Sequence, residues 1–233
     1  MDDTTLLGAI ADLTKLNVTD LTIQGPGITS LAPLSGLTTL KKLELDEVSA
    51  TNLGPLSGLK NLEQLTVYDT RITDLTPLAG LSNLGQLSLQ MDFFITNLEP
   101  LVGLTNLKAL DLSWTNSPPP GHFIATPTGI LTAGFPTGWN PTNLDALKGL
   151  TNLQELEINN SGVTSLEPLA GLTNLQKLDL SNTAVTSLEP LAGLTNLKQL
   201  NLGTAIGITS LAPLKGKKIE VLGASQELLA TMQ

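Results

Sequence analysis

The chain has 233 residues, of which 41% are hydrophobic, 14% charged and only 3% aromatic. That much apolar material excludes a disordered chain and means a core built from aliphatic side chains. With 12 Lys+Arg against 21 Asp+Glu the net charge is −9, which excludes nucleic acid and anionic membrane surfaces as partners because phosphates would be repelled.

The start, "MDDTTLLGAIADL", is acidic where a secretory signal needs a basic region, and Asp12 breaks its apolar run. A cytoplasmic location is the default expectation, with a secreted or cell-surface location the alternative if a signal has been removed. The sequence has no stretch of 18 apolar residues, so no membrane span is expected. Absence of cysteine removes disulfides, thiol nucleophiles and cysteine-based zinc sites.

Residues 1–17 read as an N-terminal cap, with a short helix over 2–16 and Asp2, Asp3, Thr4 or Thr5 available to cap it. A regular leucine series then begins: Leu31, Leu53, Leu75, Leu98, Leu144, Leu166, Leu188 and Leu211, mostly 22 residues apart. Each unit reads Leu-x-x-Leu-x-Leu followed by Ile or Val, as in Leu175, Leu178, Leu180 and Val185. The alternation at Leu178 and Leu180 marks a short strand with one face inward, while the later "PLAGL" suits a short helical turn. One unit cannot bury its own apolar edge, so neighbours must stack. Strands are expected near 20–23, 42–45, 64–67, 86–89, 109–112, 155–158, 177–180, 199–202 and 219–221.

The expected fold is therefore an α/β solenoid: a parallel sheet on the concave face, short helical or 3-10 turns on the convex face, and about eight to nine coils. It forms a single domain over 1–233, with coils at 18–112 and 144–214 and a C-terminal cap at 215–233. The step from Leu98 to Leu144 carries an excess, and 113–143 reads as a loop insertion, because a full rung would need leucines near Thr132 and Gly134.

The motif "LTNLQKLDLSNTAVTSLEPLAG" resembles bacterial leucine-rich repeats of the 22-residue kind, internalin-like and SDS22-like, over roughly residues 13 to 222. The sequence departs from many such repeats at the ninth position. Where those have asparagine bonding between coils, it has Thr70, Thr115, Ser161 and Thr183, with Pro26, Val48 and Ala205 elsewhere. A hydroxyl can take over part of that bonding, whereas Val and Ala cannot.

Strand residues between the leucines face solvent on the concave side. One column includes Glu44, Asp111, Glu157 and Asp179, and the next includes Asp46 and Tyr68. With the insertion looped out, Asp111, Glu157 and Asp179 fall on adjacent rungs, about 4.8 Å apart. All seven aromatics lie between residues 68 and 139. Extra residues near 90–94, 113–143 and 203–207 all fall after a strand, on one edge beside the concave face.

Enzyme chemistry lacks its parts. The single histidine, His122, has no HExxH-like partner, and neither a GxSxG turn nor a phosphate-binding loop occurs. Calcium would need tighter grouping of oxygens than the acidic column offers. No catalytic residue, cofactor or metal is expected. The reading is a non-catalytic protein-binding scaffold, expected as a monomer, whose partner is another protein, with a basic patch favoured by the acidic column. Tyr68, Met91, Phe94, Trp114 and Trp139 are its candidate anchors, and Glu44, Asp46, Asp111, Glu157 and Asp179 its electrostatic guides. A structural spacer or surface-display module of a larger secreted or signalling protein is the second reading. A metal-dependent binder or enzyme using His122 and the acidic column is the third.

Overall fold

The structure, a computed structural model, describes residues 2–114, 124–126, 129–131, 143–203 and 207–232. Helix α1 spans Asp3–Lys15. Nine parallel strands then form one open sheet in the order β1 (Asp20–Gln24), β2 (Lys42–Asp46), β3 (Gln64–Tyr68), β4 (Gln86–Ser88), β5 (Ala109–Asp111), β8 (Glu155–Glu157), β9 (Lys177–Asp179), β10 (Gln199–Asn201) and β11 (Glu220–Leu222). Strand β5 pairs directly with β8, Asp111 lying opposite Glu157. Between them in the chain, β6 (Ile124–Thr126) and β7 (Gly129–Leu131) make a separate antiparallel hairpin. Apart from Ser113, Trp114 and Asn143, the rest of the 113–143 passage, with His122 and Trp139, lies outside the described residues.

The inner coils bury the same leucines, while Leu21 of the first coil and Ile219 and Val221 of the last are only partly buried. In the coil of β9, Leu169, Leu172, Leu175 and Leu180 have no exposure, and Leu178 is 2% exposed. Each fully buried leucine is worth about 1.5–3 kcal/mol relative to exposure, so stacking converts a marginal unit into a stable array.

The convex side is a row of 3-10 turns, such as Glu167–Leu169 and Glu189–Leu191, most with proline in the first turn. A polar side chain two residues before each turn's first amide receives its N–H. Examples are Asn52 for Gly54 (2.6 Å), Asp74 for Thr76 (2.8 Å) and Asn97 for Glu99 (2.9 Å). Proline fixes φ where no donor is needed, and the Asx turn satisfies the donor that follows.

Asparagines do bind coil to coil, but in the "LTNL" segment rather than at the ninth position. Asn61, Asn83, Asn106, Asn152, Asn174 and Asn196 each donate Nδ2 to a backbone carbonyl of the preceding coil at 2.8–2.9 Å. Thr39 begins this ladder with its hydroxyl on Val18 O, and Lys217 ends it with Nζ on Leu194 O.

At the ends, Asp2 caps α1 by accepting the backbone N–H of Thr5 at 2.8 Å. Asp3 ties the helix to the first coil through the hydroxyl and N–H of Thr29. Helix α2 (Gln226–Ala230) is capped by Ser225 and sets Leu228 and Leu229 against the last coil.

Candidate binding face

Within three residues of each strand of the sheet a residue of positive φ turns the chain away: Glu47 (53°), Asp69 (50°), Met91 (60°), Trp114 (58°), Asn160 (54°) and Asn182 (56°), with Gly25, Gly203 and Gly223 after the other three. These residues also extend the parallel ladder. Glu47 N–H reaches Tyr68 O at 3.0 Å, Met91 N–H reaches Ser113 O at 3.1 Å, and Trp114 N–H reaches Asn159 O at 3.0 Å. Asn and Asp tolerate this conformation; Met and Trp enter it at a cost. The edge loops therefore leave the concave face at a fixed angle, which the side chains inherit.

On the sheet, the register sets Asp111 opposite Glu157 and Glu157 opposite Asp179. The outer two carboxylates are held by local donors. Asp111 accepts the backbone N–H of Ser113 at 2.8 Å, with the Ser88 hydroxyl at 3.3 Å and Gln90 Nε2 at 3.5 Å. Asp179 accepts the N–H (2.8 Å) and hydroxyl (2.6 Å) of Ser181 and Nδ2 of Asn201 (2.8 Å). Among the described residues the middle carboxylate, Glu157, has no hydrogen-bond or ion-pair partner. Partial desolvation in the hollow of the sheet pushes its carboxyl up, with the charges of Asp111, Asp179 and Glu155 adding to the shift. The neighbouring Lys177 ammonium is bound to Glu155 at 2.7 Å and opposes this shift. Among the described residues no three carboxylates or histidines are grouped to hold a metal ion.

Toward the N-terminal end, Glu44 accepts the Thr22 hydroxyl at 3.4 Å. Asp46 has its carboxyl raised by burial and by Glu47 and Glu44. Tyr68 is half-buried beside it; burial, followed by Asp69, Asp46 and Glu47, raises the phenol. Phe94 and Trp114 are half-buried on the edge. Met91 departs from the expected exposed anchor: it is 6% exposed, and Phe93 beside it 2%, both buried outside the main leucine core, while Phe94 stays half-buried. Trp139 lies outside the described residues.

Sequence reading missed Asp92. It is fully buried between these two side chains in the chain, occupies the rung after Thr70, and accepts both Thr70 donors. The signal was present in the repeat, since Asp92 follows Thr70 by 22 residues at the ninth position.

A family profile described as the endo-beta-N-acetylglucosaminidase EndoS LRR domain matches residues 58–183, more than half of the chain, and a two-copy leucine-rich repeat profile matches residues 173–216. The chain belongs to the EndoS-type leucine-rich repeat family. No curated protein matches it by sequence. Among solved structures, this leucine-rich repeat chain is similar to internalin C2 of Listeria monocytogenes, with 27% identity, TM-score 0.74, and coverage of 93% of this chain and 91% of that one. An internalin (inlF) of the same organism gives 25% identity, TM-score 0.71, and coverage of 93% and 67%. A leucine-rich repeat protein of Leptospira interrogans shares the fold at 22% identity and TM-score 0.62, over 93% of this chain and 47% of its own length. Its repeat architecture is internalin-like, similar to these bacterial leucine-rich repeat proteins.

Proposed function

We propose that this leucine-rich repeat chain is a non-catalytic scaffold that binds another protein through its concave face and the edge beside it. The observation that carries the reading is Glu157, a carboxylate in the middle of the sheet face with no partner among the described residues, flanked in register by Asp111 and Asp179. A carboxylate row of this kind steers and orients a basic protein surface. Tyr68, Phe94 and Trp114, each half-buried at the edge, give apolar contact with little rotamer entropy to lose. Trp139, a further candidate anchor, lies outside the described residues, and Met91 is buried. Among the described residues no helix is long and apolar enough to cross a membrane.

The test is capture of a partner by the immobilised full chain, followed by variants. Tyr68→Ala with Trp114→Ala should weaken binding by about a hundredfold. Glu157→Lys should slow association and remove its salt dependence. A captured partner that binds both variants as tightly as the parent would refute the reading.

The matched profile describes one domain of an endoglycosidase, and this favours a second reading. Under it the chain is a spacer or display module of a larger protein, and retains no partner when isolated.

A further inference from the structure

The concave face has a gap. At the residue before each strand, most coils carry a long side chain, such as Glu63, Lys108, Gln154 and Gln176, and the fourth coil carries Gly85. One residue on, where other coils carry Gln64, Gln86 or Lys177, the fifth has Ala109.

The fold does not need that glycine. Gly85 is not among the residues of positive φ. A Cβ there would approach only Glu63 O at 3.7 Å and Asn106 O at 4.0 Å, ordinary contact. Its N–H donates to Glu63 O at 2.8 Å and its carbonyl accepts from Lys108 N at 2.8 Å, as any residue in that ladder would.

The missing side chain opens a hollow of about 490 Å³, walled by Glu63, Gln64, Asn83, Gln86, Asn106 and Lys108. A second hollow, of about 220 Å³, includes Ala109, shares Gln64 and Gln86 with the first, and reaches Asp111 and Glu157. The two adjoin at Gln64 and Gln86 and together line a trough from β3 across β4 and β5 to β8, the larger falling within the roughly 300–1,000 Å³ typical of ligand clefts.

The lining selects the occupant. The Gln64 and Gln86 amides have no hydrogen-bond partner among the described residues. Each offers a donor and an acceptor side by side, the complement of a peptide group, and they sit one strand apart, about 4.8 Å. Neither hollow is lined by an aromatic ring, so the trough lacks the flat apolar platform on which a sugar or base would stack. The far end carries the Glu157 carboxylate, unpartnered among the described residues, beside Asp111.

We propose that the Gly85–Ala109 trough takes an extended peptide segment of a protein partner, its peptide groups on the Gln64 and Gln86 amides and an arginine or lysine side chain against Glu157 and Asp111. The proposal rests on the protein-binding reading and specifies where in the partner the contact lies.

The test uses the 15N-labelled full chain and the peptide acetyl-Gly-Ser-Arg-Ser-Gly-amide, read by the side-chain amide signals of Gln64 and Gln86. Those signals should move with a Kd on the order of a millimolar, and the same peptide with Glu for Arg should bind about tenfold more weakly or worse. Gly85→Gln with Ala109→Gln fills the trough with the residue other coils hold at the same places, so the fold should persist, checked by thermal melting. That variant should lose about tenfold in affinity. Glu157→Gln should lose the preference for arginine while keeping residual binding. No movement of either signal at about 10 mM peptide, equal binding by the filled variant, or movement with maltotriose but not peptide would each overturn the proposal. These outcomes are read on the short peptide alone, so the protein-binding reading is tested separately, by capture of a partner by the full chain and by its weakening in the Tyr68→Ala/Trp114→Ala and Glu157→Lys variants.

Discussion

Thr70 gives both its backbone N–H (2.8 Å) and its hydroxyl (2.6 Å) to the same oxygen, Oδ1, of Asp92 in the next coil. The other oxygen, Oδ2, is buried without a partner among the described residues. Burial dominates the balance and pushes the carboxyl up to about 7, against the lowering effect of the Thr70 bonds, while the nearby Asp69 charge adds to the rise. Asp92 is thus a carboxylic acid that the fold prefers to keep protonated.

The sign of the pH dependence follows. The unfolded chain releases the proton near 3.8 and the folded chain only near 7. The contribution of Asp92 is therefore fully present below the lower value and is lost as pH rises to the upper one, by at most about 1.4 kcal/mol per pH unit. Asp46 and Glu157, also raised, act in the same direction. Asp2, Asp3, Asp74 and Asp145 are lowered and lose their contributions only on further acidification. Calorimetry should find a higher Tm at about pH 5 than at about pH 8; a Tm that climbs across that range would contradict the account.

Asp92→Asn separates this group from the rest. The amide oxygen still accepts from Thr70, and no ionisation remains. The variant should gain stability at neutral pH and show a flatter Tm profile across the same interval. Thr70→Val, which keeps shape but removes the hydroxyl, should cost about 1–3 kcal/mol. Above about pH 7, where Asp92 ionises, that loss should be smaller in the Asp92→Asn background, because a hydrogen bond to an ionised group is the stronger kind.

The asparagine ladder predicts additive losses. Asn174→Ala removes the 2.8 Å bond to Thr151 O, and Asn83→Ala the 2.8 Å bond to Lys60 O. Each should lower stability by about 1 kcal/mol, and the two, several coils apart, should add to within about 0.5 kcal/mol. Urea unfolding of both single variants and the double variant measures this. Losses near zero would mean that water satisfies the freed carbonyls as well as asparagine does.

Much of the fold was legible because the repeat repeats its physics. The strand expected at 42–45 runs Lys42–Asp46, and that at 177–180 runs Lys177–Asp179, since the inward leucines fix the register in every coil. The coil-to-coil asparagines were sought at the wrong position: an Asn just before a strand reads as an ordinary turn residue, and its bond to the previous coil exists only once the coils stack. The ninth-position hydroxyls do bond, Thr70 to Asp92 and Thr183 to Leu180 O at 2.7 Å, but the buried Ser161 hydroxyl has no partner among the described residues. Of the site, the Asp111–Glu157–Asp179 row followed from column counting. Met91 and Asp92 did not, because charged residues are presumed exposed and extra residues are presumed to loop outward.

Glu47 carries the most direct test of the turns that set the edge. It is exposed, adopts φ 53°, and its charge adds to the rise that burial gives the carboxyl of Asp46. Glu47→Asn installs the residue that Asn160 and Asn182 supply at the same turn. It should relieve both the left-handed backbone and the like charge, stabilising by about 0.5–1 kcal/mol and raising Tm by roughly 1–4 °C. Glu47→Gln removes the same charge and keeps a side chain that disfavours this backbone, so it should recover only part of that gain. Trp114 has nearly the same φ, 58°, yet Trp114→Asn gives up half-buried ring area that Glu47 never had, and should show no net gain. Equal Tm values for Glu47→Asn and Glu47→Gln would assign the whole effect to charge and leave the backbone at this turn unstrained.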